Sequence, residues 1–166
     1  MPRRIQVRRS PIHGNGVFAL IDIPRGTRII EYKGARITHA TVLRQHPADP
    51  ENPFHTFLFA LSNGRYCIDA GNGDNAARWI NHRCAPNCEA VEEHDRQGVV
   101  RVYLYAKRGI RTGEELSFDY RLQLDHAATD EHRRNYLCRC RSWNCRRTML
   151  APIAPGSPFI LHGSSR

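Results

Sequence analysis

The sequence predicts a β-rich α+β domain, in which many short strands are combined with few helices. Short β-branched or alternating stretches are separated by turn residues, and helical patterns are brief. The balance of 40% hydrophobic and 25% charged residues is that of a globular chain. At this length of 166 residues, one domain is expected to bury roughly 70% of the extended-chain surface. We therefore predict a core that does not depend on disulfide bonds.

Short strands and tight turns alternate at the beginning of the chain. Residues 5–9 are predicted to form a strand, and Gly14 and Gly16 bracket a turn before a second strand over 17–20. A β-branched stretch over 27–32 predicts a third strand. The glycines matter because a chain reversal between short strands requires backbone conformations that other residues rarely adopt.

The next segment contains the first predicted helix and the clearest hairpin. Thr38 is suited to cap a helix that runs to about Gln45, and the proline-rich stretch 46–53 is predicted to be a loop. Strands are predicted over 56–61 and 66–69, joined by a turn that contains an Asn-Gly pair. This pair is the strongest local signal for a hairpin because both residues accept positive φ angles.

Fewer elements are predicted in the second half. Asp74 is suited to cap a short helix through Trp79, and β-rich stretches predict strands over 99–106 and 115–118. A helical pattern returns near 131–136. From Ala151 the chain is rich in Pro, Gly and Ser, which predicts an irregular tail.

The charge of the chain is strongly positive and comes almost entirely from arginine. There are 25 basic and 16 acidic residues, for a net charge of +9, and only Lys33 and Lys107 are lysines. Such a charge attracts nucleic acid, anionic membranes or acidic proteins, but it is also found in basic proteins without such partners. Charge alone therefore leaves the partner open.

Segments that direct a chain to or across a membrane are not predicted. No run of 18 apolar residues is present, and the basic N-terminal stretch is not followed by the apolar stretch of a signal peptide. We expect an intracellular protein: cytoplasmic in a bacterium, or acting in a host nucleus if it is exported.

Two glycine-containing segments near the N-terminus are candidates for ligand contact. The first is His13-Gly14-Asn15-Gly16-Val17-Phe18, and the second is Glu31-Tyr32-Lys33-Gly34. On the residues alone, a Gly-x-Gly before a strand is usually only a turn. A tyrosine at the end of a strand usually belongs to a core or an interface.

Two polar segments in the middle of the chain contain more side chains that can bind a ligand or a metal. Residues 78–88 read RWINHRCAPNC, and residues 113–120 read GEELSFDY and end in a tyrosine just after a predicted strand. On composition alone, the first segment is either a polar turn with a histidine whose ring nitrogens are hydrogen-bonded within the protein, or a set of metal ligands that includes His82.

The cysteines indicate a metal site. Cysteines in an intracellular chain are usually free thiols or metal ligands rather than disulfides. Cys138, Cys140 and Cys145 form a C-x-C-x4-C cluster, and tetrahedral zinc needs a fourth ligand. Spacing alone lets Cys84 and Cys88 compete equally for that place. Cys67 stands apart from the cluster.

In this order, the four segments and the cysteine cluster resemble the SET domain and its post-SET segment. The family has a Gly-x-Gly turn, a Tyr-x-Gly step, an Asn-His-Ser-Cys-x-Pro-Asn segment and a Glu-Leu-x-(Phe/Tyr)-Asp-Tyr segment. The chain has each of these between about residues 5 and 146, with Arg83 in place of the usual serine.

The resemblance implies a fold and a division of the chain. The implied fold has several small sheets, few short helices and a C-terminal zinc-bound segment. The implied division is a SET domain over 1–130 with a variable insert at about 38–65, a post-SET zinc segment over 131–150 and a tail over 151–166. The insert is expected to form one wall of the substrate groove, while its aromatic residues Phe54, Phe57 and Phe59 are expected in the core rather than in contact with substrate.

The resemblance also implies a protein-lysine N-methyltransferase that uses S-adenosylmethionine as methyl donor. Tyr120 is implied to orient the lysine amine, Tyr32 to line the lysine channel, and Phe118 to leave room for di- or trimethylation. One structural zinc ion, Zn2+, is implied on Cys84, Cys138, Cys140 and Cys145. The implied cofactor-binding residues are His13, Gly14, Asn15, Gly16, Tyr32, Arg78, Asn81, His82, Tyr120 and Leu137.

The implied zinc site would tie the C-terminal segment to the catalytic motif, and structural zinc supplies roughly 10 kcal/mol of folding free energy. Arg141 and Arg147 stand where the family often has glycine. The implied partner is a protein that presents a lysine, a histone or a histone-like protein, with a weak nucleic-acid contact and no membrane.

Two alternative functions remain open at the level of sequence. One is a catalytically silent SET-like module that binds histones or nucleic acid. The intact tyrosine, Asn-His pair and glycine turn argue against it. The other is a zinc-containing nucleic-acid binder. The net charge and the arginines around Cys138 to Arg147 favour it, whereas the scattering of arginine through the whole chain without interleaved aromatic residues does not.

Overall fold

Small sheets account for the strands of the computed structural model, which describes residues 3–45, 56–72, 75–124 and 128–152. In that part of the chain the strands form two two-stranded and two three-stranded sheets, with two short α-helices. In chain order the elements are β1 (Ile5–Arg9), β2 (Asn15–Ala19), β3 (Arg28–Glu31), β4 (Ala35–Thr38), α1 (His39–Gln45), β5 (Leu58–Ala60), β6 (Tyr66–Asp69), a 3₁₀ turn (Ala76–Trp79), β7 (Asn81–His82), β8 (Cys88–His94), β9 (Val100–Ala106), β10 (Ser117–Phe118) and α2 (Asp130–Asn135).

The first hairpin confirms the predicted strand–turn–strand at the start of the chain. β1 and β2 pair antiparallel, with Ile5 opposite Ala19 and Arg9 opposite Asn15. The turn between them is closed by a hydrogen bond from the Ser10 amide to the Gly14 carbonyl. The hairpin therefore places the Gly-x-Gly segment at its tip and at the start of its second strand.

The largest sheet has the order β3-β9-β8, with β9 in the centre. Val102, Leu104 and Ala106 of β9 are fully buried, which follows from the two-residue alternation of a strand with one face on the core. The strand β8 was not predicted from its glutamate-rich sequence. It pairs antiparallel with β9 over its whole length, from Cys88 opposite Ala106 to His94 opposite Val100.

The predicted Asn-Gly hairpin is confirmed as β5 and β6 of the sheet with order β4-β6-β5. Gly64 has a φ of 67°, and the Asn63 side chain accepts a hydrogen bond from the Arg65 amide at 3.0 Å. The edge strand β4 was not predicted as a separate strand. It pairs with β6 from Ala35 opposite Asp69 onward.

The shortest sheet joins the two polar motifs. β7 and β10 are parallel, with Ser117 opposite Asn81 and Phe118 opposite His82. All four residues are buried. This pairing places motifs that are more than 30 residues apart in sequence side by side.

The helices are short, and each begins at a polar cap. Thr38 caps α1, as predicted, because its hydroxyl accepts a hydrogen bond from the Thr41 amide at 3.2 Å. The 3₁₀ turn is capped by Asn75, whose side chain accepts from the Ala77 amide at 3.1 Å. The prediction of Asp74 as this cap was therefore wrong by one residue. No helix among the described residues is long and apolar enough to cross a membrane.

Some predictions fall outside the described residues. The loop over 46–53, the position of Phe54, the Asp74 side chain and the tail beyond residue 152 belong to that part. Residues 151 and 152 are described and belong to no regular element, as predicted.

Glu114 anchors the turn that precedes β10. Its carboxylate accepts hydrogen bonds from the Arg108 guanidinium and, at 3.1 Å, from the side-chain amide of Asn87. The Arg108 hydrogen bond is the main reason that the pKa of Glu114 is lowered from 4.5 to about 2. Because the pKa is lowered on folding, this stabilisation is complete above the ordinary value and is lost as the pH falls through 4.5 toward 2.

We expect Glu114→Gln to lower the free energy of unfolding at neutral pH by roughly 1–2 kcal/mol, after allowance for solvent screening of Arg108. The difference from wild type should disappear as the pH falls from 4.5 to 2. Urea titrations across this pH range measure it. Glu89→Gln is the matched control, since Glu89 is exposed. An equal effect of both substitutions would contradict the assignment.

Candidate active site

A cavity of about 830 Å³ lies where the glycine turn, the insert, the two polar motifs and the C-terminal segment meet. This volume is in the range of cofactor and ligand sites, roughly 300–1,000 Å³. Its lining contains every predicted catalytic and cofactor-binding residue except Gly16. These residues are His13, Gly14, Asn15, Tyr32, Arg78, Asn81, His82, Phe118, Tyr120 and Leu137.

Aromatic rings form a continuous row along one wall of the cavity. Ring centroids are 5.6 Å apart for Tyr32 and Phe59, 6.4 Å for Phe59 and Phe118, and 4.8 Å for Phe118 and Tyr120. Such a wall removes water from an amine that enters it and offers ring faces to a cationic or methylated amine. Phe57 also lines the cavity. The prediction that Phe57 and Phe59 belong to the core is half right, because both pack on it and also face the cavity.

Both cavity tyrosines donate their hydroxyl hydrogens to backbone carbonyls. Tyr120 donates to the Ile80 carbonyl at 2.8 Å, and Tyr32 donates to the Phe57 carbonyl at 2.9 Å. Burial raises the pKa of each phenol, so both remain neutral at physiological pH. A neutral phenol whose hydrogen is engaged presents its oxygen as an acceptor. The arrangement suits orientation of an amine and does not suit a strong base.

A buried hydrogen-bond network holds the glycine turn against the Asn-His motif. The Asn81 amide nitrogen lies 2.9 Å from the Asn15 carbonyl and 2.9 Å from Glu115 Oε1. The Ser10 hydroxyl donates to the same Glu115 oxygen at 2.7 Å. Glu115 is 8% exposed, so loss of either donor would leave a buried carboxylate poorly paired. Neither Ser10 nor Glu115 was predicted as a site residue.

The two glycines of the turn serve different purposes. Gly14 lines the cavity and has a φ of 48°, a left-handed conformation in which glycine carries no steric penalty. Gly16 does not line the cavity. A Cβ atom there would lie 2.3 Å from Glu115 Oε1, so glycine is required by the close approach of the Glu115 carboxylate. The absence of a side chain at Gly16 thus leaves room for the Glu115 carboxylate to pack against this segment.

His82 connects the active-site tyrosine to the cysteine cluster. Its Nδ1 accepts a hydrogen bond from the Tyr120 amide at 3.1 Å, so the hydrogen of the neutral ring is on Nε2. Nε2 lies 3.4 Å from the sulfur of Cys84, to which it can donate. Burial lowers the pKa of His82, which keeps the ring neutral. The ring therefore orients two neighbours and is not a member of the cysteine cluster.

Arg78 is held at the cavity by aromatic stacking. Its guanidinium carbon lies 4.0 Å from the ring centroid of Phe57 and 4.7 Å from that of Trp79. Its Nε is buried without a hydrogen-bond partner among the described residues. A guanidinium held by stacking on the cavity wall suits an anionic group.

Four cysteine sulfurs converge beside the cavity. The sulfurs of Cys84, Cys138, Cys140 and Cys145 all lie within 4.8 Å of one another, and those of Cys84 and Cys138 are 3.8 Å apart. Tetrahedral zinc with bonds of about 2.3 Å places its sulfurs about 3.8 Å apart, so this donor set fits Zn2+. Cys88 is buried in the core and Cys67 lines the cavity, and neither belongs to the cluster. The structure thus favours Cys84 over Cys88.

Backbone amides point at the sulfurs, as expected around thiolates. The Arg146 amide lies 3.4 Å from the sulfur of Cys84, and the Arg147 amide lies 3.4 Å from that of Cys145. The Arg146 side chain makes a bidentate pair with Asp119 at 2.7 and 2.9 Å. The cluster and this ion pair both tie the C-terminal segment to the motif that ends in Tyr120.

A comparison with protein families decides the classification. The family model described as SET domain matches residues 14–121, which is more than half of the chain.

The chain belongs to the SET-domain family.

Curated relatives support this membership over a wider part of the chain. The SET domain is 38% identical over 152 residues to "Histone-lysine N-methyltransferase, H3 lysine-4 specific" of Mycosarcoma maydis, which covers 87% of the chain and 10% of that relative. It is 34% identical over 146 residues to human "Histone-lysine N-methyltransferase 2D", covering 87% of the chain and 2% of the relative. It is 38% identical over 147 residues to "Histone-lysine N-methyltransferase trr" of Drosophila melanogaster, covering 87% and 6%. The chain thus spans a tenth or less of the length of these relatives.

The C-terminal part of the chain, from residue 121 onward, has an unusual backbone. Arg121, Arg141 and Arg147 have φ angles of 48°, 53° and 62°. Two of them are the arginines that stand in place of the family's usual glycines. The structure shows that these positions keep a left-handed conformation even with arginine, at a cost of roughly 1–2 kcal/mol each.

Proposed function

We propose that this SET domain transfers a methyl group from S-adenosylmethionine to a lysine side chain of a histone. The observation that carries the proposal is the row of aromatic rings ending at Tyr120, whose hydroxyl is fixed on the Ile80 carbonyl inside the cavity. The relatives support the reaction class and the histone substrate. Because one relative is named for histone H3 lysine-4, we propose the N-terminal tail of histone H3 as the first substrate to test.

The proposed cofactor residues line the same cavity as the aromatic wall, and two of them, Tyr32 and Arg78, contact aromatic rings of the insert. Gly14 and the backbone of the Asn-His motif offer polar main-chain groups, and Arg78 offers a fixed guanidinium. When bound, S-adenosylmethionine supplies an electrophilic methyl group on a sulfonium. The position of the Arg78 guanidinium on the cavity wall supports a fit to the carboxylate of the cofactor.

The chain's own groups account for the remaining demands of the reaction. A lysine amine must lose its proton before it can attack, and the apolar wall of Phe59 and Phe118 lowers the amine pKa by desolvation. The Tyr120 oxygen is placed to accept a hydrogen bond from the amine and so to orient its lone pair. Leu137 and Met149 close the cavity on the side of the C-terminal segment and limit access of water.

The zinc-bound segment is proposed to have a structural role. The four sulfurs supply the complete ligand set of a tetrahedral ion, so no coordination position remains open for a substrate. We further propose the domain division at about residues 130 and 150 and an intracellular site of action, where histone and histone-like substrates are found.

The proposal is tested by methyl transfer from labelled S-adenosylmethionine to core histones, isolated histone H3 and small basic bacterial proteins. Labelled lysine in histone H3, located by mass spectrometry, is the expected result. Label on another basic protein alone would keep the reaction and replace the substrate. Binding of the cofactor with no label on any target would favour the catalytically silent module.

Phe118 is proposed to set the number of methyl groups. Its ring is 7% exposed and packs 4.8 Å from that of Tyr120, so a para hydroxyl added to it would enter the apolar part of the cavity. The native protein is expected to form di- or trimethyl-lysine, and Phe118→Tyr is expected to stop at monomethyl-lysine. Mass spectra of the product peptide measure the distribution.

The matched control for this substitution is Phe18→Tyr, which adds the same hydroxyl to β2 away from the cavity lining. Its product distribution should equal that of wild type. Only monomethyl product from the native protein would contradict the role given to Phe118.

A further inference from the structure

Exposed arginines occupy the strained backbone positions of the described chain. All three non-glycine residues with positive φ among the described residues, Arg121, Arg141 and Arg147, are exposed arginines. Glycine or asparagine adopts this conformation at lower cost. An exposed side chain gains no burial in return. A contact outside the chain would account for arginine at these positions.

These arginines surround the cysteine cluster. Arg139 lies between Cys138 and Cys140, and Arg141 and Arg147 follow Cys140 and Cys145 by one and two residues. Since the cysteine sulfurs lie within 4.8 Å of one another, the arginines beside them are held on one compact unit. Arg121 is connected to this unit through Asp119, two residues earlier in the chain. The Asp119 carboxylate pairs with Arg146, which belongs to the unit.

The unit is strongly basic. Residues 131–150 contain six arginines and one glutamate. A zinc ion bound by four thiolates carries a net negative charge, which offsets only part of this excess. Within the described residues, Arg146 pairs with Asp119, while Arg139, Arg141 and Arg147 have no acidic partner.

A tryptophan stands among these arginines. Trp143 is 93% exposed, the highest value among the large hydrophobic residues described as exposed. It lies in the four-residue connection between the ligands Cys140 and Cys145, so its backbone is fixed at both ends. Tryptophan and arginine are the residues most enriched at the energetic centres of interfaces.

We propose that the surface formed by Arg121, Arg139, Arg141, Trp143 and Arg147 binds the phosphate backbone of duplex DNA. Guanidinium groups bind phosphates in a bidentate manner, and contacts to phosphates fix the position of a protein on duplex DNA. Single-stranded nucleic acid is usually bound on several stacked aromatic rings, whereas this surface has one.

The surface is continuous with the cavity. Arg121 and Arg139 line the cavity as well as being exposed. DNA bound there would lie beside the cavity that contains Tyr120. This inference goes beyond the proposed methyl transfer, because DNA binding requires neither methyl donor nor a competent active site.

The test is fluorescence anisotropy with a labelled duplex of about 25 base pairs, using the full zinc-loaded chain between about 50 and 200 mM salt. The variant carries Arg121→Asn, Arg141→Asn and Arg147→Asn together, since asparagine tolerates positive φ. We expect its affinity to fall about tenfold or more, and the slope of log K against log salt to become shallower by about two to three. Trp143→Ala should weaken binding about threefold or more.

The matched control replaces Arg3, Arg25 and Arg96, which are exposed elsewhere on the chain, with asparagine. It removes the same net charge and should change the affinity by less than about threefold. Equal losses of affinity in the two triple variants would show that net charge alone accounts for binding, which would overturn the proposal. Tighter binding to single-stranded RNA or to polyglutamate than to the duplex would also overturn it.

Discussion

Replacing Tyr120 with phenylalanine is expected to lower kcat for methyl transfer about a hundredfold or more. The change removes one oxygen, which is anchored 2.8 Å from the Ile80 carbonyl and faces the cavity. Without it, the amine loses the acceptor that orients its lone pair, and misplacement of a reacting atom by about 1 Å can cost a hundredfold in rate. The backbone contact from the Tyr120 amide to His82 remains, so the fold should be retained.

The measurement is the single-turnover rate with saturating S-adenosylmethionine, together with the Kd for the cofactor by calorimetry. We expect the Kd to change by less than about threefold, because the lost oxygen acts mainly in the transition state. Tyr103→Phe is the control, since Tyr103 lies on β9 outside the cavity lining. A Tyr120→Phe protein with near-native kcat would remove this tyrosine from the mechanism.

Replacing Cys145 with serine is expected to remove the zinc ion and most of the activity. Cys145 is the least buried of the four ligands, so the substitution leaves little empty space in the core. Loss of one of four ligands greatly weakens a structural zinc site, which supplies roughly 10 kcal/mol of folding free energy. The segment that contributes Leu137 and Met149 to the cavity would then lose its main attachment.

Zinc content by mass spectrometry, thermal unfolding and cofactor affinity measure this effect. Wild type should hold about one zinc ion per chain, and the variant should hold little and bind the cofactor at least about tenfold more weakly. Cys88→Ala is the control, because Cys88 is a cysteine of the main core that does not belong to the cluster. It should keep the zinc while losing roughly 1–3 kcal/mol of stability. Full zinc content in Cys145→Ser would exclude Cys145 as a ligand.

Local sequence patterns predicted those elements whose signals are local. The Asn63-Gly64 turn was predictable because Gly64 adopts a φ of 67° and the Asn63 side chain accepts a hydrogen bond from the Arg65 amide. The β9 strand was predictable because Val102 and Leu104 alternate with more exposed residues. Thr38 was predictable as a helix cap because its hydroxyl accepts a hydrogen bond from the amide of Thr41, only three residues later in the chain.

The strand β8 escaped prediction because its stability comes from its partner. Glu89, Glu92 and Glu93 are poor strand formers, but cross-strand contacts to β9 outweigh this propensity. One such contact is a hydrogen bond from the Tyr105 hydroxyl to the Glu93 carboxylate. Nothing in the local sequence indicates which distant strand will supply these contacts.

The residues of the candidate site likewise fall into two groups: those that the sequence predicted and those that only the structure reveals. The family resemblance predicted Tyr120, the Asn-His motif and Cys84 as site residues. The structure groups Cys84 with the other three cysteines, a choice that spacing alone left open. The role of Glu115 depends on Ser10 and Asn81, residues 105 and 34 positions away, and appears only in three dimensions. The requirement for glycine at position 16 likewise appears only in three dimensions, because a Cβ atom there would lie 2.3 Å from Glu115 Oε1 and 2.9 Å from Ser10 Cβ.

The proposed zinc binding by the cysteine cluster would also set the stage of protein synthesis at which the cavity can form. Cys84 meets Cys138 across 54 residues of chain, and Met149 lies on the cavity wall. A nascent chain that has emerged through Phe118 and Tyr120 can form the core but lacks that wall. Substrate binding would therefore begin only after translation has passed the last cysteine and a zinc ion has been captured. Growth in zinc-poor medium should consequently yield folded cores without methyl transfer.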